Sequence, residues 1–124
     1  MAGAAVQEPT LGTGRKRLGT VGEQLAASWY EQQGFTVLAR NWRCRHGEID
    51  LIARRGDLVV FAEVKARSSV RFGVPAEAVT PRKQQRLRVL AGRWLAEQHP
   101  GRVEIRFDVV SVLAGRLEVL PAAF

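Results

Sequence analysis

The sequence predicts an α/β fold, with one mixed central sheet flanked by helices. The run Leu58–Ala66 is apolar on both of its alternating faces until Glu63 and Lys65 interrupt one of them. A strand with two apolar faces is buried between layers, in the middle of a sheet. Apolar residues at helical spacing occur both before and after the strand-like runs, so helices are available to cover such a sheet.

The composition predicts a single cytoplasmic domain. With 124 residues, 46% of them hydrophobic, the chain suits one packed core and is too short for a second. It has no apolar run of the ~18–20 residues that a membrane span needs and no signal-peptide core. Its one cysteine, Cys44, fits a reducing compartment. We expect residues 1–17 to form a disordered basic tail and residues 18–124 to form the domain.

The charge favours a polyanionic partner. The formal net charge is +7, from 19 basic and 12 acidic residues, which suits contact with nucleic acid. Arginine far outnumbers lysine, so coding bias is an alternative explanation of the excess. The three lysines are Lys16, Lys65 and Lys83. A lysine retained on a sheet face indicates that a compact ammonium group is needed there.

The first helix is predicted from about Thr20 to Gln33. Its apolar stripe at helical spacing consists of Leu18, Val21, Leu25 and Trp29. Gly34 supplies the stop signal. Thr20 and Glu23 fit a capping box, in which the glutamate reaches back to the backbone N–H of the threonine. A cap is therefore one of two roles open to Glu23, and the second follows from the resemblance described below.

Short runs with strand-like patterns predict a sheet. They are Phe35–Arg40, Glu48–Ala53, Leu58–Ala66, Val103–Val112 and Leu117–Leu120. A second helix begins after the N-cap Thr80, with Pro81 at its first position, and His99-Pro100-Gly101 ends it. Asp108 lies inside an apolar run, where a carboxylate needs a partner. We expect a structural role, with an arginine as partner; support of the functional site is the alternative.

A tight turn at Arg55-Gly56 would set the register of the second and third strands. It predicts Asp50 opposite Phe61, so that Asp50, Glu63 and Lys65 share one face of the sheet. Diagonal neighbours on one face are ~7–8 Å apart, and two carboxylates at that spacing can share a cation. The alternative is an ion pair between Glu63 and Lys65 at a strand end, with Asp50 in a turn.

Asp50 followed by Glu63-Val64-Lys65 resembles the motif of PD-(D/E)xK nucleases, with Ile49 where the literal motif has proline. The flanking segments GEIDLIA and VVFAEVKARSSVRFG narrow the resemblance to the YraN-like small bacterial proteins, which are similar to archaeal Holliday-junction resolvases. It covers roughly Leu18 to Leu120. It implies a restriction-endonuclease-like core in a bacterial cytoplasmic protein. It also implies metal-dependent hydrolysis of phosphodiester bonds in DNA, with branched DNA as the candidate substrate.

The resemblance also assigns roles to residues. Mg²⁺ or Mn²⁺ is expected as the cofactor, and its ligands would be Asp50, Glu63 and the backbone carbonyl of Val64. Lys65 would orient a water or stabilise developing charge. Glu23 would lean over the metal from the first helix. Glu48 shares the Asp50 face by strand parity, not by the resemblance; it is either a spare ligand or, as we favour, a gatekeeping or ion-pair residue.

Nucleic-acid contacts are expected from the loop after the third strand and from the start of the second helix. The expected residues are Arg67, Arg71, Arg82, Lys83 and Arg86. The alternatives are a plain connection and a solvated basic face. DNA is favoured over RNA, and junction resolution would need two cuts and hence a homodimer. A non-catalytic nucleic-acid-binding protein of the same fold and an interaction protein with an acidic partner are the competing functions.

Overall fold

The computed structural model describes residues 14–67 and 79–124. Residues 1–13 of the predicted tail (1–17), the predicted loop after the third strand and Arg71 lie outside the described residues, as do the side chains of residues 14–20 and of Arg67. Residues 14–17 of the predicted tail lie in the first helix. The described elements are α1 (Gly14–Gln32), β1 (Thr36–Cys44), β2 (Gly47–Arg55), β3 (Leu58–Arg67), α2 (Pro81–Gln98), β4 (Glu104–Leu113) and β5 (Arg116–Leu120).

The five strands form one mixed sheet in the order β1-β2-β3-β4-β5. Neighbouring strands are antiparallel except β3 and β4, which run parallel. A parallel pair needs a crossover connection, and α2 lies in that connection. The predicted α/β class with a mixed sheet and flanking helices is confirmed.

Each helix covers one face of the sheet, which is why the central strands are apolar on both sides. Ala26 and Tyr30 of α1 belong to a buried cluster with Val60 of β3. Leu90 and Trp94 of α2 belong to a second cluster on the other face. Together the clusters account for the two-faced hydrophobic pattern of β3. Among the described residues, neither helix is long and apolar enough to cross a membrane.

The second helix follows its predicted signals. The Thr80 hydroxyl accepts a hydrogen bond from the Lys83 backbone N–H at 3.2 Å, and Pro81 begins the helix. At the other end, His99 takes a left-handed conformation with φ of 48° and donates its backbone N–H to the Leu95 carbonyl. These contacts satisfy backbone groups that a helix end leaves unpaired.

The first helix ends as predicted but begins earlier. Gly34 has a φ of +91° and follows the helix end at Gln32, as a C-terminal glycine does. Helix α1 begins at Gly14, so the predicted start at Thr20 is wrong. Thr20 lies inside the helix and does not cap it, which removes the predicted capping box. The basic residues before Thr20 are good helix formers, and this preference outweighs the threonine signal.

The register between β2 and β3 differs from the predicted one by two residues. Arg55 pairs with Leu58 and Ile52 pairs with Phe61, so Asp50 does not face Phe61. The turn residues are Gly56 and Asp57, and Gly56 has a positive φ of 60°, which a glycine adopts at the first position of such turns. A shift of two residues preserves the alternation of side chains in the paired part of β2, Leu51–Arg55. In the observed register Asp50 therefore lies closer to Glu63 than in the predicted one.

Asp108 is a buried structural carboxylate, as the sequence predicts. It is 0% exposed and forms a bidentate pair with Arg106, with distances of 2.9 and 3.0 Å. The Tyr30 hydroxyl donates to it at 2.6 Å, and the Ala122 backbone N–H donates at 3.0 Å. One carboxylate thus joins α1, β4 and the segment after β5.

Candidate metal centre

The candidate site lies where β2 parts from β3. The paired residues of these strands end at Leu51 and Ala62. Just beyond them, Asp50 Oδ2 accepts a hydrogen bond from the Val64 backbone N–H at 2.8 Å. The side chain thereby binds an N–H that lies beyond the last paired residues of the ladder. Asp50 is fixed against the end of β3, beside Glu63.

Three carboxylates converge at this point. Glu23 of α1, Glu48 and Asp50 each place a carboxylate oxygen within 4.8 Å of the others. Glu23 is only 7% exposed, and Asn41 of β1 donates its Nδ2 to Glu23 Oε1 at 2.8 Å. Glu48 also forms an ion pair with Arg43 at 3.2 Å. The group can hold a metal ion, and its oxygen-only donor set is the kind that Mg²⁺ and Mn²⁺ prefer.

The electrostatics of the group favour an added positive charge. Burial, and next the charge of Glu63, raise the pKa of Asp50 well above its ordinary value, against the opposing N–H of Val64. Burial also raises the pKa of Glu23, with the hydrogen bond from Asn41 opposing it and the charge of Glu48 adding to it. Asp50 and Glu23 therefore resist ionisation beside the neighbouring carboxylates. A divalent cation would remove that penalty.

Glu63 belongs to a different set of contacts. It is 6% exposed, and its Oε2 lies 2.7 Å from Lys83 Nζ and 3.8 Å from Lys65 Nζ. Burial, and then the neighbouring Lys83, lower the pKa of Lys65. Burial also lowers the pKa of Lys83, but the Glu63 carboxylate outweighs it and the net shift is upward. Two ammonium groups thus crowd around one buried carboxylate.

The structure brings the predicted catalytic residues into one region but divides them differently. Glu23 and Asp50 share the three-carboxylate group, whereas Glu63 and Lys65 form an ion-pair cluster with Lys83. Val64 contributes a backbone N–H to Asp50, and the role of its carbonyl as a ligand stays a prediction. The alternation of side chains along the two strands is the sequence signal that predicts Asp50 and Glu63 near each other.

The sequence analysis does not predict two of the contacts at the site. Asn41 supports Glu23 from β1 at a positive φ of 54°, and nothing in the local sequence pattern indicates that contact. The contact of Lys83 with Glu63 joins the start of α2 to the end of β3. The parallel crossover that creates this contact is a property of the fold. A sequence motif does not report it.

Of the predicted nucleic-acid residues on α2, Lys83 contacts a carboxylate of this region directly. Arg82 and Arg86 are exposed, and the Arg86 stem approaches Gly47 at the start of β2, where an added Cβ would lie 3.6 Å from Arg86 Cδ. Lys83 lies between them in sequence and points its ammonium group at Glu63. The first turns of α2 therefore present positive charge next to an acidic centre.

Comparison with known proteins relates most of the chain to one family. The uncharacterised protein family UPF0102 matches residues 22–112. A UPF0102 protein of Mycolicibacterium vanbaalenii is 54% identical over 105 residues, which cover 85% of this chain and 87% of the relative. Another, of Nocardia farcinica, is 56% identical over 99 residues, which cover 80% of this chain and 78% of the relative.

Proposed function

The chain belongs to the UPF0102 family, and we propose that it is an endonuclease that hydrolyses phosphodiester bonds in DNA with a bound divalent cation. One observation carries the proposal. Three carboxylates from α1 and β2 converge at the end of a buried strand, next to a fourth carboxylate, Glu63, that two lysines approach. The resemblance to YraN-like proteins and to PD-(D/E)xK nucleases supports the same reaction.

Mg²⁺ or Mn²⁺ is the proposed cofactor. Glu23, Glu48 and Asp50 would hold it, and Glu63 and the Val64 carbonyl are the further ligands that the motif implies. When bound, such an ion lowers the pKa of a coordinated water and neutralises charge on a phosphate. The arrangement suits this use because it holds three carboxylate oxygens within 4.8 Å of one another, one of them on the buried Glu23.

Lys65 has a separate task in the proposed reaction. Its ammonium group lies 3.8 Å from Glu63 at the end of β3, where it can reach a phosphate oxygen. A compact positive charge there would stabilise the negative charge that develops on the phosphate. Asp50 is held by the Val64 N–H, and one of its carboxylate oxygens belongs to the three-carboxylate group.

The charge of the chain supports nucleic acid as the proposed substrate class. The net charge of +7 and the exposed arginines Arg82 and Arg86 favour a polyanion, and the resemblance to junction resolvases favours branched DNA. Arg67 and Arg71, which follow the Glu63-Val64-Lys65 motif in the sequence, remain proposed contacts with the nucleic acid. Resolution of a four-way junction would require a homodimer, because two strands must be cut.

The deciding experiment is cleavage of a panel of branched and linear DNAs in Mg²⁺, Mn²⁺ or chelator. The proposal expects cleavage that needs the cation and is lost in Asp50→Asn and Lys65→Ala. Lys65→Ala should still bind the DNA, because its role is in the reaction. A wild type that binds DNA and cuts none of the panel would instead support the non-catalytic nucleic-acid-binding protein. The ammonium group of Lys83 on Glu63 is the observation that favours this second candidate.

A further inference from the structure

Glu63 is expected as a metal ligand, yet a lysine from another element holds it. Lys83 Nζ lies 2.7 Å from Glu63 Oε2, which is a close charge-assisted contact, whereas Lys65 Nζ is 3.8 Å away. The carboxylate is 6% exposed, so an ammonium group balances a charge that burial would otherwise make costly. The ammonium group of Lys83 thus occupies the carboxylate to which the motif assigns a metal ion.

We propose that Lys83 is a resident counterion that competes with the divalent cation for Glu63 and moves to the substrate phosphate when the cation binds. This inference rests on the proposed function, and it concerns how the same site is regulated. It explains why Glu63 stands apart from the group of Glu23, Glu48 and Asp50. Glu63 joins that group as a ligand once Lys83 withdraws.

Lys83 is better suited to this exchange than Lys65. Its backbone is fixed, because its N–H is bound to the Thr80 hydroxyl at the start of α2. Its side chain is 38% exposed, against 29% for Lys65, and it extends from a helix end across to the sheet. A lysine stem has several rotatable bonds and a compact charged head. The ammonium group can therefore leave Glu63 without any movement of the helix.

The electrostatic balance also favours an exchange. The charges of Glu23, Glu48 and Glu63 all act on Asp50, and among the described residues only Lys65 and Lys83 form ion pairs with Glu63. A bound divalent cation would take over the neutralisation of Glu63, and the Lys83 charge would then be in excess. A phosphodiester carries a negative charge that Lys83 can contact from the first turn of α2. Cation and DNA should therefore assist each other in binding, through Lys83.

The first experiment is a calorimetric titration of Mn²⁺ into the full chain. Lys83→Met keeps the apolar stem and removes the competing charge, so we expect Mn²⁺ to bind about tenfold tighter, equivalent to about 1.4 kcal/mol. Arg82→Met, which removes one positive charge from the adjacent exposed position, should change Mn²⁺ affinity much less. Lys83→Arg retains a cation beside Glu63 and should bind Mn²⁺ no more tightly than wild type. Melting curves in chelator check that each variant is folded.

The second experiment measures binding of a short phosphorothioate duplex, which resists hydrolysis, in Mn²⁺ and in chelator. Lys83→Met should lose more DNA affinity in Mn²⁺ than in chelator, because only the bound cation releases Lys83 to the DNA. Arg82→Met should lose the same factor in both conditions. Equal losses for Lys83→Met in the two conditions would contradict the exchange.

The outcomes separate this inference from the proposed function. If wild type and Lys83→Met bind Mn²⁺ with equal affinity, the metal centre stands and the competition by Lys83 is wrong. If neither protein binds Mn²⁺, with or without the duplex, the metal centre itself is wrong and the inference fails with it. If Lys83→Met binds Mn²⁺ more tightly than wild type and Lys83→Arg binds it with unchanged affinity, both the metal centre and the competition by Lys83 are supported.

Discussion

Asp50 is a carboxylate held in a place that opposes its ionisation. Burial, and next the charge of Glu63, raise its pKa well above the 3.8 of an unperturbed aspartate. The folded protein therefore binds a proton more tightly at this residue than the unfolded chain does. The stability that this proton contributes is fully present below pH 3.8 and is lost as the pH rises through the raised pKa.

This linkage predicts how Asp50→Asn behaves without metal. The asparagine keeps an oxygen that can accept the Val64 N–H but carries no charge. Its free energy of unfolding relative to wild type should therefore increase as the pH rises from about 4 toward neutral. Urea unfolding in chelator at a series of pH values measures the difference. Asp57→Asn, at an exposed turn position, is the control. If the difference in free energy of unfolding between Asp50→Asn and wild type does not change with pH, the raised pKa of Asp50 is wrong.

Metal should reverse the ranking of the same two proteins. A cation that binds only the folded state stabilises it by about 2.7 kcal/mol at a hundredfold excess over its dissociation constant. We expect wild type to gain this stability in Mn²⁺ and Asp50→Asn to gain little, because it lacks one of the three converging carboxylates. Melting curves in chelator and in millimolar Mn²⁺ measure both gains. An equal gain in the two proteins would place the cation elsewhere.

Among the elements, α1 carries a glycine where it packs on the sheet. A Cβ added to Gly22 would lie 3.6 Å from carbons of Val64 and Val112, which is an ordinary van der Waals distance. Gly22→Ala should therefore stabilise the protein by about 0.5–1 kcal/mol from helix propensity, and the new contacts should add to that gain. Gly92→Ala on α2, where an added Cβ meets nothing within 4 Å in the described structure, isolates the propensity effect.

Chemical denaturation of the two glycine variants measures the comparison. A gain for Gly22→Ala that equals or exceeds the gain for Gly92→Ala supports the packing distance between α1 and the sheet. A loss for Gly22→Ala alone would mean that α1 lies closer to β3 and β4 than these distances indicate.

Local signals predicted the elements better than their junctions. Thr80, Pro81 and His99 fixed the ends of α2 correctly because each acts through its own backbone neighbours. The start of α1 was missed because a threonine near a glutamate resembles a cap even inside a helix. The β2–β3 register was wrong by two residues because Gly56 takes the first turn position instead of the second.

The sequence could predict only the part of the site that depends on the alternation of side chains along the strands. Parity put Asp50, Glu63 and Lys65 on one face, and a shift by two residues preserves parity. The contacts of Glu23 with Asn41 and of Glu63 with Lys83 join residues from different elements. These contacts depend on how α1 and α2 sit against the sheet, which periodicity does not encode.

For the whole molecule, the Asp108 network connects parts that are distant in the sequence. Tyr30 of α1 and Ala122 after β5 meet on this one buried carboxylate, which Arg106 balances. Burial, and then the charge of Asp108, raise the pKa of Tyr30 above 10.0. The folded protein thus keeps the phenol protonated at a pH where the unfolded chain releases the proton.

Tyr30→Phe tests this connection in two ways. Loss of a buried hydrogen bond to a charged acceptor should lower the free energy of unfolding by about 1.5–3 kcal/mol at neutral pH. Wild type should also lose stability as the pH rises above 10, a loss to which Tyr30 contributes and which should be smaller in the variant. Denaturant unfolding at pH 7 and pH 11 measures both effects. Identical pH dependence in the two proteins would exclude Tyr30 as the titrating group.

The hydrogen bond from the Val64 N–H to Asp50 has a consequence for observing the site. Most amides in a sheet are protected from solvent exchange by a neighbouring strand, but this amide is protected by a carboxylate that itself takes part in the proposed chemistry. Its exchange rate and its NMR chemical shift therefore depend on the charge state and occupancy of Asp50. A single backbone resonance, at Val64, reports on the centre from inside the sheet without any added label.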